Sequence, residues 1–125
     1  VKTSFLFILI ASALTGCDPE TVHIRQIDNQ SNDTLVFTFP DSSATSFGPV
    51  IVAPPGMMTD VLLTYDKSKD FNFACQPSGD SVTAIFSSGR KLLKSMMALS
   101  DWNREVSQKP NKVICTFIIT ESDLQ

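Results

Sequence analysis

Histidine is nearly missing from this chain of 125 residues, with His23 as its one example, and there is a single Trp and a single Tyr. Catalytic triads and most catalytic zinc sites need histidine, so His23 would have to serve alone in either. His23 reads as a strand residue. No CxxC spacing occurs either. Basic charge is sparse: ten Lys/Arg stand against thirteen Asp/Glu, and the only basic cluster is Arg90, Lys91 and Lys94. Nucleic acid is therefore excluded as a partner, because neutralising a phosphate backbone needs many clustered cations. There is also no apolar run of the ~20 residues that a membrane-spanning helix requires.

What is present begins at the N-terminus. Lys2 is followed by an apolar stretch from Phe5 to Leu14 and then by Thr15-Gly16-Cys17. A basic residue, a short apolar run and small residues before a cleavage point form a secretory signal. Ending in Leu14-Thr15-Gly16-Cys17, it resembles a bacterial lipobox, which implies cutting before Cys17 and lipidation of its thiol, palmitate being one of the acyl chains. On this reading residues 1–16 are a removed signal peptide, 17–21 a lipidated tether, and 22–125 the domain. Each buried methylene contributes ~0.8 kcal/mol, so several acyl chains hold a protein on a bilayer durably. The mature chain has 109 residues, nine Lys/Arg and thirteen Asp/Glu, for a formal charge of −4. That is enough for one modest core.

Cys75 and Cys115 remain, an even pair in a compartment that permits disulfides. A bridge between them would close a loop of ~40 residues and stabilise by roughly 3–4 kcal/mol in the chain-entropy model. Two separate buried thiols are the other reading, since spacing alone does not bring the Cα atoms together.

Period-two alternation dominates the rest. Strands are expected at Val22–Ile27, Thr34–Phe39, Val50–Val52, Thr59–Tyr65, Phe71–Cys75, Ser81–Phe86, Lys91–Lys94 and Val113–Thr120. The first two form a hairpin over the polar run Asn29–Asp33. Ser100 caps a short helix near residues 100–107. About seven or eight short strands with turn residues between them make an all-β, single small antiparallel β-sandwich, an open barrel being the other closure.

Sites are few. Asp66, Ser68 and Asp70 alternate in a loop but lack the glycine and later glutamate of an EF-hand loop. Ser88-Gly89-Arg90-Lys91 has no following helix of phosphate-binding type. Carboxylates are scattered, with no pair set for acid–base work. The reading is therefore a non-enzyme, with no catalytic residue, cofactor or metal. Phe47, in the Ser-rich loop 41–49, and Trp102 are the candidate partner contacts, although Trp102 also suits a core position. Loops 41–49 and 66–70 form the expected contact surface.

Asp28-Asn29-Gln30-Ser31-Asn32-Asp33-Thr34, Phe39-Pro40-Asp41, Leu99-Ser100-Asp101-Trp102 and Cys115–Leu124 resemble the small β-sandwich lipoproteins of Bacteroidetes. The likeness implies a cell-envelope location and no known chemistry. In that phylum, acidic residues after the lipidated cysteine resemble a surface-export signal, which Asp18 and Glu20 fit. Under the enterobacterial rule Asp18 implies retention at the inner membrane. Asp33-Thr34-Leu35 and Asp80-Ser81-Val82 resemble the phylum's O-glycosylation pattern. The functional expectation is a lipid-anchored envelope protein, favoured at the outer membrane or cell surface, that binds a protein or glycan partner. A periplasmic inhibitor or immunity-type lipoprotein acting on a protein is the alternative.

Overall fold

The computed structural model describes residues 20–40, 42–67, 71–77, 82–86 and 88–125. Among these described residues seven strands form two sheets. They are β1 (Thr21–Asn29), β2 (Leu35–Thr38), β3 (Val50–Ala53), β4 (Met57–Asp66), β5 (Thr83–Phe86), β6 (Asn103–Gln108) and β7 (Asn111–Ile119). One sheet has the order β4-β1-β7-β6 and the other β3-β2-β5. The fold is the expected small all-β one. Its pairs are antiparallel except β1 and β7, which run parallel through the middle of the larger sheet.

Alternation explains the layering. In β1 every second residue from Thr21 to Asn29 is buried, and in β7 Val113, Cys115, Phe117 and Ile119 are. Successive side chains of a strand point to opposite faces, so these sets share one face by register. Leu35 and Phe37 of β2 with Ile51 and Ala53 of β3 meet them from the smaller sheet, and Phe39 joins the same core. Fully burying a side chain such as Phe37 or Phe117 stabilises by about 1.5–3 kcal/mol. Between Arg25 and Gln26 the β1–β4 register shifts, leaving Val61 as an extra residue. Val61 and its neighbour Leu62 are consequently both buried, the break in alternation that a bulge produces.

Four expectations are corrected. The β1–β2 hairpin is absent, because β1 and β2 belong to different sheets. Buried Asn29 explains the turn away. Its Nδ2 donates to Asp33 O (2.7 Å) and Ala53 O (2.9 Å), and its Oδ1 accepts from the Ser31 hydroxyl (2.6 Å) and amide (3.1 Å). These bonds tie the end of β1 to the connection and to β3. Gly56, at φ +71° in the left-handed region where glycine carries no steric penalty, donates its N–H to Asn29 O (2.7 Å) as the chain passes from β3 to β4.

Residues 71–75 are not a strand. Their alternation comes from side chains laid on the larger sheet rather than from a ladder. Lys91–Lys94 is likewise not a strand: only Leu92 bridges to Leu124. The expected helix near 100–107 is replaced by a single 3-10 turn at Leu99–Asp101 and then by β6. Among the described residues there is no α-helix.

Candidate functional site

Phe47 sits on the loop that closes the side of the sandwich where β3 and β4 are edge strands. Ser46 fixes that loop. Its amide donates to Val61 O (3.0 Å), while its hydroxyl donates to Leu63 O (3.1 Å) and accepts from the Leu63 amide (3.0 Å). Part of the free edge of β4 is thereby covered, and Phe47 is pushed outward with 54% of its surface exposed. The Thr45 hydroxyl accepts the Phe47 amide (3.0 Å) and holds the turn. Beside Phe47 lie Val50 and Val52 on β3 and Met58 on β4, each about half exposed. Together with Ile51, Thr59 and Asp60 they line an open groove of about 440 Å³. Its walls are aliphatic, thioether and aromatic, with Asp60 as the one charge. Such a surface can bury apolar side chains of a partner. It carries no nucleophile–base pair.

Trp102 does not belong to that surface. It is buried, its ring lies 5.2 Å from Phe117, and its indole N–H donates to Met96 O (2.7 Å). As a partner contact Trp102 is corrected to a core residue, its polar edge satisfied internally as burial of an indole requires. The loop 66–70 falls partly outside the described residues, since Ser68 and Asp70 are not among them. Cys17, Asp80 and Ser81 lie outside as well.

The cysteines do come together. Cys75 and Cys115 form a disulfide with Cα atoms 5.3 Å apart, both fully buried. It pins segment 71–77 across the larger sheet. Phe73 in that segment stacks on His23 (centroids 4.6 Å apart, 9° between planes) and lies under the Arg25 guanidinium at 4.7 Å. Arg25 Nη2 donates to Ala74 O (2.8 Å) and Gln76 O (3.2 Å). Burial pulls the Arg25 pKa down to about 10, because a desolvated cation is disfavoured. The sole histidine thus packs beneath an aromatic ring. The periodicity of β1 gives the buried face, but nothing local in the sequence says that a distant Phe73 covers it.

The other cluster is ionic. Arg90 pairs with Asp33 (2.7 Å) and with Glu121 (2.9 Å), and the Ser88 hydroxyl donates to Asp33 (2.6 Å). The Ser88 and Arg90 hydrogen bonds hold Asp33 below its ordinary value, and the Arg90 bond does the same for Glu121. Arg90 itself is raised by Glu121 and Asp33. A cleft of about 270 Å³ lies alongside, over Phe37, Ala84 and Leu92. Of the cations lining it, Arg90 and Lys94 are matched, the latter by Asp123 at 3.4 Å, while Lys91 is exposed and outside these pairs. Within the Ser88–Lys91 segment Arg90 therefore spends its charge on carboxylates of the same molecule. Among the described residues no group of three His, Cys, Asp or Glu side chains is placed to hold a metal ion.

No family model, curated protein or solved structure matches this chain. The reading of its surface consequently rests on the chain's own geometry. On that geometry the Phe47 groove is the strongest candidate contact, and of the two aromatic residues singled out in the sequence only Phe47 is presented outward. Val50, Val52 and Met58 escaped sequence reasoning because alternation marks a strand face as apolar without saying whether a second layer covers it.

Proposed function

We propose that this protein is a lipid-anchored β-sandwich of the cell envelope that binds a protein partner and catalyses no reaction. The observation that carries the binding reading is the groove of Phe47, Val50, Val52 and Met58 beside the edge strand β3. Exposed apolar patches rimmed by polar residues mark interaction sites on soluble domains. The apolar lining favours a protein over a glycan, since sugar recognition would call for several convergent hydrogen-bonding groups. The anchor rests on Leu14-Thr15-Gly16-Cys17.

The test is capture from envelope extracts with wild-type protein, Phe47→Ala and Val52→Asp. The same partner should be captured by the wild type and lost from both variants while their unfolding midpoints stay put, because both side chains are about half exposed. Undiminished capture by both variants would remove the groove from the account. Protease shaving of intact cells then separates a cell-surface from a periplasmic location.

A further inference from the structure

The outer face of the larger sheet carries two adjoining apolar rows at the end next to the N-terminal tether, while beyond a polar row Ile118, Asp28 and Met58 lie side by side. Register places Lys112, Val22 and Tyr65 in one row across β7, β1 and β4. In the next outward-facing row Glu105, Ile114, Ile24 and Leu63 lie side by side across all four strands. Further along, the row Asn103, Thr116, Gln26 and Asp60 is polar, and Gln26 Nε2 donates to the Thr116 hydroxyl (3.0 Å). Val22, Ile24 and Ile114 are partly exposed, Leu63 is more so, and Tyr65 is 66% exposed. They lie on the face of the larger sheet turned away from its buried side. Five adjoining apolar side chains on the outer face of a sandwich need a partner.

We propose that this half-face, Val22, Ile24, Leu63, Tyr65 and Ile114 with Lys112, docks on the bilayer that holds the lipid anchor. The inference rests on the anchored reading above. The chain fixes the geometry. Cys17 precedes Thr21 by four residues, which span at most about 14 Å when extended, so an acylated Cys17 holds this end of the sheet at the membrane surface. The charges agree with the orientation. Lys67, Lys109 and Lys112 cluster at the tethered end with Glu20 and Asp66, and none of those lysines joins an ion pair among the described residues. At the opposite end two of the three cations, Arg90 and Lys94, are matched by Asp33, Glu121 and Asp123, and Lys91 alone of the three is outside these pairs. Lysines near an anionic leaflet are attracted to it, and a tyrosine with an apolar ring and polar tip suits the interface. The Phe47 groove, on the side where β3 and β4 meet, is left open to a partner.

The experiment uses the full chain isolated from membranes and reconstituted in phosphatidylethanolamine–phosphatidylglycerol vesicles, with Tyr65→Trp as reporter. Trp102 is buried in the core and supplies the wild-type background. Bromine-labelled acyl chains should quench the emission added by Y65W and leave the wild-type emission unchanged. Adding Leu63→Asp should abolish that quenching. Retained strand circular dichroism in both variants shows that they fold. Emission from Y65W unaffected by bromine overturns the docking face, including the case of blue-shifted, unquenched emission with doubled mass, which makes the face a contact between two copies. Intact mass of the same sample reads acylation of Cys17 separately. Acylation without quenching leaves the anchor and removes the docking face, whereas quenching without acylation leaves the face and removes the anchor.

Discussion

Reducing the Cys75–Cys115 bridge should destabilise the domain severely, and the size of the loss follows from the loop it closes. The sequence separation is 40 residues. Loop-closure entropy removed from the unfolded chain over such a loop amounts to about 4 kcal/mol at 25 °C. Domains of this size are stable by only about 5–15 kcal/mol in total. With a urea dependence of roughly 1.5 kcal/mol per molar, the unfolding midpoint should fall by about 2–3 M, and the slope should rise because the reduced unfolded chain is more extended. Both sulfurs are fully buried, so reductant must be present through unfolding and refolding and not merely added to the native protein. Amide exchange localises the effect. Segment 71–77 belongs to neither sheet and is otherwise held by the Arg25 bonds to Ala74 and Gln76, the Arg104 bond to Phe71 O and the Phe73 stack. Its amides should lose protection before those of β1 and β7. Coincident urea curves for oxidised and reduced protein would refute the reasoning outright.

Trp102→Ala should cost about 3–5 kcal/mol through the cavity it opens, and Trp102→Phe a smaller amount through the unpaired Met96 carbonyl; thermal unfolding reads both. Asn29→Ala should cost roughly 2–4 kcal/mol, because it strands buried carbonyls of Asp33 and Ala53, and Asn29→Asp should bring no rescue, since the lost Nδ2 donors are the point. Acid should destabilise the fold. Asp33, Glu121 and Asp123 are held below their ordinary values, so the unfolded chain binds more protons there; stability is complete above the ordinary 3.8–4.5 and is lost as pH falls through the lowered values. For Asp123 burial works against the lowering, and the Thr120 amide and hydroxyl with Lys94 outweigh it. Arg90→Ala should flatten the Asp33 and Glu121 part of an acid denaturation profile, and an unchanged profile would deny Arg90 that role.

Strands with one buried face were legible because burial writes itself as alternation: β1, β2, β3, β4, β5 and β7 all stand within the expected segments or a few residues of them. β6 was not, and the reason is physical. Asn103–Gln108 is exposed along its whole length, so no apolar period survives, and the strand exists by pairing with β7. Phe71, Phe73 and Cys75 show the converse, a strand-like period in chain that joins no ladder. Partnering was illegible too. The residues of β1 say which face is buried but not that β7 lies beside it in parallel, nor that Asn29 turns the chain into the other sheet. Of the candidate contacts, Phe47 was legible as an aromatic residue in a polar loop. Trp102 was ambiguous because the Met96 carbonyl that satisfies its indole belongs to a segment without regular structure.

The parallel pairing of β1 with β7 bears on how the fold is reached. The second strand and the last one belong to different layers, and one flank of β1 stays open until the residues up to Ile119 are available. The middle of the larger sheet thus joins residues about 90 positions apart in sequence, and pairings of that kind place β-sandwiches among the slower folders, in milliseconds to seconds. A nascent chain emerging N-terminus first has no native partner for that flank until β7 has been made. Completion of the larger sheet is thus held back until the residues of β7 are available.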